Sequence, residues 1–158
     1  MYLNNAWYVA GWDHHLDDGL LARTICEEPI VFFRGENGDV GALEDRCCHR
    51  ALPLSMGKVV GAHIQCGYHG LEFDATGACV KVPGQSKVPP GAEVRSYPVI
   101  ERWGMVWIWT GDPAKADDTL LPDWWWLDSD DWKTIPGRGG TPMPVEANYL
   151  LISDNLFD

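Results

Sequence analysis

At 158 residues the chain is long enough for one ordinary domain, or for one small domain and part of a second. With 46% hydrophobic and 22% charged residues it can bury a core, which excludes a disordered chain. Twelve Lys and Arg against 23 Asp and Glu leave a formal net charge of −11, which argues against a nucleic-acid partner, and serves solubility before any docking of a basic redox partner.

The first predicted strand is Trp7-Tyr8-Val9-Ala10, aromatic and β-branched. A second, Ile30 to Arg34, runs into Glu36-Asn37-Gly38-Asp39, where Asn-Gly marks a hairpin that returns along residues 40–44. Residues 58–65 and 70–73 read as further strands, and Asp74-Ala75-Thr76-Gly77 turns the chain toward a strand over Ala78-Cys79-Val80. Residues 83–91, with Pro89-Pro90, read as an irregular surface loop. Residues 95–100 and 105–110 add two strands, the second alternating bulky groups across two faces of a sheet. Residues 112–131 are acidic and centred on Trp124-Trp125-Trp126, which reads as a linker or the start of another unit. Consecutive indoles cannot all face one core, so at least one is expected at an interface. Residues 143–149 predict one further strand, and Leu150, Leu151, Ile152, Leu156 and Phe157 have the spacing of a helix beginning near Tyr149. With no helix predicted before about Leu120, the closely spaced strands and Gly-rich turns predict a mainly β chain, an all-β sandwich or barrel.

No stretch approaches the ~18 apolar residues of a membrane span. The opening Met1-Tyr2-Leu3-Asn4-Asn5 has no basic or apolar leader character, so a cytoplasmic protein without a membrane partner is expected. The five cysteines (Cys26, Cys47, Cys48, Cys66, Cys79) are an odd number. In a reducing compartment this argues for metal ligation by some and burial of the others.

Two motifs carry chemistry. Cys47-Cys48-His49-Arg50 is a C-x-H and Cys66-Gly67-Tyr68-His69 a C-x-x-H, with 16 residues between them. Each offers one thiolate and one imidazole from a loop after a predicted strand, so two loops at the ends of neighbouring strands can close on one metal centre. A Rieske-type [2Fe–2S] cluster needs this set, with Cys47 and Cys66 on one iron and His49 and His69 on the other. Imidazole ligands lower the negative charge and raise the reduction potential. Cys2His2 zinc is the competing reading, but zinc motifs usually pair Cys with Cys and His with His. The mixed motifs favour the cluster, with the histidine-bound iron nearer the surface.

Around these ligands the sequence resembles the Rieske non-haem iron oxygenases, in the branch of vanillate O-demethylase and dicamba monooxygenase. The resemblance is carried by C-x-H-R at 47–50 and C-x-Y-H-G-L at 66–71, and by Asn5 to Ala10, Ala51 to Ser55, Gly70 to Phe73 and Val106 to Pro113. It extends to Asn148 to Leu151 and Asp154 to Asp158, so it covers nearly the whole chain. It implies a Rieske-type antiparallel β-sandwich over residues 1–115, then a linker and the beginning of a truncated α+β catalytic domain over 116–158. It further implies the oxygenase component of a monooxygenase, working as a homotrimer. NADH would feed it through a flavin- and ferredoxin-type reductase, and O2 would be used to hydroxylate or O-demethylate an aromatic compound at a mononuclear Fe(II). Asp158 matches the acid that bridges a cluster histidine of one subunit to the mononuclear iron of the next, at the head of a D-x-x-H-x-x-x-x-H pattern. The two histidines of that pattern would lie beyond Asp158. Asn155, one helical turn earlier, would face the same iron.

Several residues carry alternatives. Cys48 stands where most such oxygenases have Pro; its N–H can add a hydrogen bond near the cluster, and its side chain is expected small, apolar and buried. Tyr68 either donates its hydroxyl to a ligand sulfur or packs as an aromatic. Arg50 is expected to cap its loop on carbonyls rather than anchor an acidic partner. His14 and His15, in an acidic turn, are expected to be solvated, and His63 to lie in a strand. A stand-alone Rieske ferredoxin and a zinc-stabilised binding module are the other functional readings.

Overall fold

The computed structural model describes residues 2–132 and 144–157. Among the described residues ten strands follow one another: β1 (Ala6–Trp12), β2 (Leu21–Ile25), β3 (Glu28–Arg34), β4 (Val40–Glu44), β5 (Lys58–Val60), β6 (His63–Gln65), β7 (Glu72–Phe73), β8 (Cys79–Lys81), β9 (Val99–Arg102) and β10 (Met105–Thr110). The α-helix α1 (Tyr149–Phe157) comes last among the described residues. All pairings are antiparallel, in three sheets ordered β1-β10-β9, β2-β3-β4 and β5-β6-β7-β8. Pairing of β1 with β10, from Ala6 opposite Thr110 to Trp12 opposite Met105, ties the start of the chain to residues about a hundred positions away.

The turns follow from local chemistry. The β3–β4 hairpin closes as expected at Asn37-Gly38: Gly38 sits at φ 87°, and Asn37 Nδ2 donates to Asp39 at 2.7 Å. The expected single strand over 58–65 is instead a hairpin, because Gly61 at φ 61° breaks it between β5 and β6. Strand β2 has no counterpart in the sequence reading. Its turn, Cys26-Glu27, takes left-handed φ values of 53° and 68° with no glycine to announce it.

Burial explains the layering. Val31, Phe33 and Leu43, on one face of β2-β3-β4, pack against Ile64, Phe73 and Cys79 of the four-stranded sheet. Ile30, Phe32 and Ala42, on the other face, pack against Val106, Ile108 and Tyr97. The sheet β2-β3-β4 is therefore the middle layer. A strand covered on both faces reads as an unbroken apolar run, as Ile30 to Phe33 does. A Phe33→Ala change here costs roughly 3–5 kcal/mol. Strand β10 is also buried on both faces, since Met105 and Trp107 meet Trp103, Leu121 and Trp124 on the outer side.

Residues 112–131 are not a free linker. Trp124 lies 5.3 Å from Trp107 and 6.1 Å from Trp103, ring to ring, while Trp125 and Trp126 are exposed. No strand forms over residues 144–148, and Met143 lies outside the described residues. Helix α1 begins at Tyr149 as expected and leaves Leu150, Leu151, Ile152, Leu156 and Phe157 exposed. Among the described residues no helix is long and apolar enough to cross a membrane.

Candidate metal centre

The two chemical motifs sit on loops of one design. In residues 47–52 the Cys47 N–H donates to the Leu52 carbonyl at 2.8 Å, and the Ala51 N–H to the Cys47 carbonyl at 2.9 Å. In residues 66–71 the Cys66 N–H donates to the Leu71 carbonyl at 2.8 Å, and the Gly70 N–H to the Cys66 carbonyl at 3.0 Å. The residue four after each cysteine turns left-handed, Ala51 at φ 56° and Gly70 at φ 73°. This echo, Cys followed by Ala-Leu or Gly-Leu at the fourth and fifth positions, is visible in the sequence. The strands before the loops, β4 and β6, are not neighbours; they belong to sheets that face each other across the first core.

A carboxylate braces each loop. Asp45 accepts from the N–H and hydroxyl of Ser55, at 2.7 and 2.6 Å. Glu72 accepts from Gln65 Nε2 at 2.8 Å and Lys81 Nζ at 2.7 Å. Glu72 is only 4% exposed, and its carboxyl is pushed below the ordinary value chiefly by the Lys81 hydrogen bond, against the opposing effect of burial. Two glycines let the turn before β5 lie backbone to backbone against the start of the second loop. A Cβ on Gly57 would stand 2.0 Å from the Gln65 carbonyl oxygen, and one on Gly67 2.6 Å from that of Met56.

The four side chains arrive as two pairs. Cys47 and Cys66 are each 3% exposed, with their thiols close enough to interact. Burial, reinforced by Cys66, pushes the Cys47 thiol up to about 11 although the His49 N–H donates to it. Such thiols ionise readily only when a cation binds them. His49 and His69 are exposed, their ring centres 4.6 Å apart and tilted by 58°. Among the described residues no group of three or more His, Cys, Asp or Glu converges as for a single metal ion. An inner sulfur pair and an outer nitrogen pair fit a two-iron cluster better than one tetrahedral zinc.

Other expectations change. Cys48 is exposed rather than buried, and Arg50 is exposed without a hydrogen bond to any described residue, so it does not cap its loop. The Tyr68 ring stacks on His69, with centres 3.8 Å apart and 29° between planes; its hydroxyl makes no hydrogen bond to a described residue. His15 is not solvated: its Nδ1 is buried without a hydrogen-bond partner, near the place a Cβ on Gly11 would occupy. His63 lies in β6 as expected, with Nδ1 4.0 Å from Glu72. Asn155 lies on α1 and is exposed, and Asp158 lies outside the described residues.

Residues 6–98 match the profile of the Rieske [2Fe-2S] domain. Over its whole length the chain is 47% identical to the toluene-4-sulfonate monooxygenase system iron–sulfur subunit of Comamonas testosteroni. Over 99% of its length it is 45% identical to the oxygenase component of dicamba O-demethylase from Stenotrophomonas maltophilia. The chain spans 45% of each of these relatives. A crystal structure of dicamba monooxygenase superposes on 99% of the chain with a TM-score of 0.90 at 44% identity, covering 49% of that chain.

Proposed function

Because the chain belongs to the Rieske [2Fe–2S] domain family, we propose that it is the electron-relay portion of an aromatic monooxygenase's oxygenase component. In this reading Cys47 and Cys66 hold one iron, and His49 and His69 the other. When bound, the cluster supplies one-electron transfer at a potential raised by its imidazole ligands. Cys47 and Cys66 each release the proton on Sγ as they ligate, and their burial keeps water from the sulfur side. The exposed His49 and His69 present the nitrogen side to a redox partner. The braces at Asp45 and Glu72 hold both loops still, so that little of the protein reorganises with a change of charge.

The whole protein belongs to the same proposal. A flavin- and ferredoxin-type reductase delivers electrons from NADH. O2 is used at a mononuclear Fe(II) held by the remaining half, and the substrate is a methyl or methoxy group on an aromatic acid. Asp158 is proposed to link a cluster histidine of one subunit to that iron in the next, in a cytoplasmic homotrimer. Residues 1–115 form the cluster domain, and 116–158 lead into the catalytic one.

The observation that carries the reading is the convergence of two loops closed by the same pair of hydrogen bonds, with sulfur inside and nitrogen outside. A stand-alone ferredoxin leaves α1 and its exposed apolar side chains unexplained. Protein purified without oxygen should contain about two irons and two acid-labile sulfides per chain. With reductase, NADH and O2, the full-length protein should release formaldehyde from a methoxylated aromatic acid. Zinc in place of iron, or no sulfide, refutes the cluster; a full cluster without turnover of any aromatic acid leaves only an electron carrier.

A further inference from the structure

We propose that Tyr68 is a positioning residue: its ring, rather than its hydroxyl, holds the His69 imidazole in orientation by face contact. The proposal rests on the assignment of His69 as a cluster ligand. Tyr68 is 62% exposed, so core packing does not explain where its ring lies. The ring covers the His69 imidazole at 3.8 Å between centres with planes 29° apart, a stacked arrangement. The phenolic hydroxyl makes no hydrogen bond to a described residue, so it does not set where the ring lies.

The backbone on both sides of Tyr68 is constrained. Gly67 lies against the Met56 carbonyl, too close for any Cβ. Gly70 holds a left-handed φ of 73°, and its N–H donates to the Cys66 carbonyl. Tyr68 is thus mounted on a rigid loop with its ring over the next ligand. Among the described residues the first loop has no equivalent: His49 is followed by the exposed Arg50, and the one ring against it is that of His69, tilted by 58°. Ligation would fix one nitrogen of an exposed imidazole and leave the ring plane to rotate about that bond unless something flat lies on it. Tyr68 supplies that surface on His69 and leaves His49 without one.

The test uses the cluster-loaded protein and the variants Tyr68→Phe, Tyr68→Trp and Tyr68→Leu. Two quantities are measured: the nitrogen couplings of the two ligand histidines by pulsed EPR of the reduced protein, and the half-life of the visible absorbance under a chelator. Phe and Trp should preserve both. Leu should alter the couplings of one histidine while leaving the other, and shorten the half-life roughly two- to tenfold, as loss of an aromatic contact allows. Identical couplings and half-life in Tyr68→Leu and wild type overturn the proposal. So does a Tyr68→Phe protein as altered as Tyr68→Leu, since the hydroxyl would then be the working part. Should Tyr68→Leu fail to load, retention in both ring-bearing variants supports the role and loss in Tyr68→Phe overturns it. Wild-type protein without acid-labile sulfide would instead sink the cluster assignment beneath it.

Discussion

The loops 47–52 and 66–71 share a backbone and differ in what presses on it. Both close with the same two hydrogen bonds around a cysteine, and both turn left-handed at the fourth residue. The second loop meets that turn with glycine, seats Gly67 against Met56, lays Tyr68 on His69, and is braced by a buried carboxylate. The first loop meets the same turn with Ala51, is braced by the half-buried Asp45, and lays no stacked ring on His49, although the tips of both loops are exposed. A common bonding pattern is enough to deliver a thiol and an imidazole to one place. The surroundings decide how rigidly each pair is held, so like changes should hurt the second loop more.

The comparison breaks most completely if a sulfur is removed. Cys66→Ser is expected to abolish the cluster, seen as loss of visible absorbance and acid-labile sulfide; a full-strength spectrum would refute the ligand assignment. Next comes the packed glycine. Gly67→Ala pushes a methyl against the Met56 carbonyl and should destabilise the protein by roughly 1–3 kcal/mol in a urea titration.

Glu72 sharpens the contrast through pH. Its folded carboxyl titrates below its unfolded value of about 4.3, so its contribution is present above that pH and fades as pH falls toward the folded value. Glu72→Gln should therefore cost about 1–2 kcal/mol at neutral pH, discounted for the half-exposed Lys81, with the gap closing in acid. In the first loop, Ala51→Gly should stabilise by about 0.5–1 kcal/mol, because glycine adopts the left-handed turn without strain. The smallest effect is expected at Cys48. Cys48→Ser should leave the spectrum unchanged and remove the fastest-reacting thiol in a labelling experiment, since Cys47, Cys66 and Cys79 are buried.

Much of the β architecture could be read locally. The Asn37-Gly38 hairpin, the apolar runs of β3 and β10 and the onset of α1 are written in adjacent residues, because turn conformation, side-chain alternation and helical spacing are short-range properties. Features with a weak or missing local signal differ from the sequence expectation. Strand β2 hid behind a turn without glycine, the strand expected over 143–149 is absent from 144–148, and 58–65 split at Gly61. At the metal centre the two motifs stood out by residue type and spacing, while Glu72, Gly57, Gly67 and the Ser55–Asp45 brace did not.

By itself the amino-acid sequence determined which residues can bind metal and which stretches prefer extended backbone, since both depend on side-chain chemistry and near neighbours. Only the tertiary structure decided that the loops come from facing sheets, that Cys48 is exposed, and that Tyr68 lies on His69. Those outcomes depend on which surfaces are buried together, and burial joins residues far apart in the chain through contacts that no local pattern encodes.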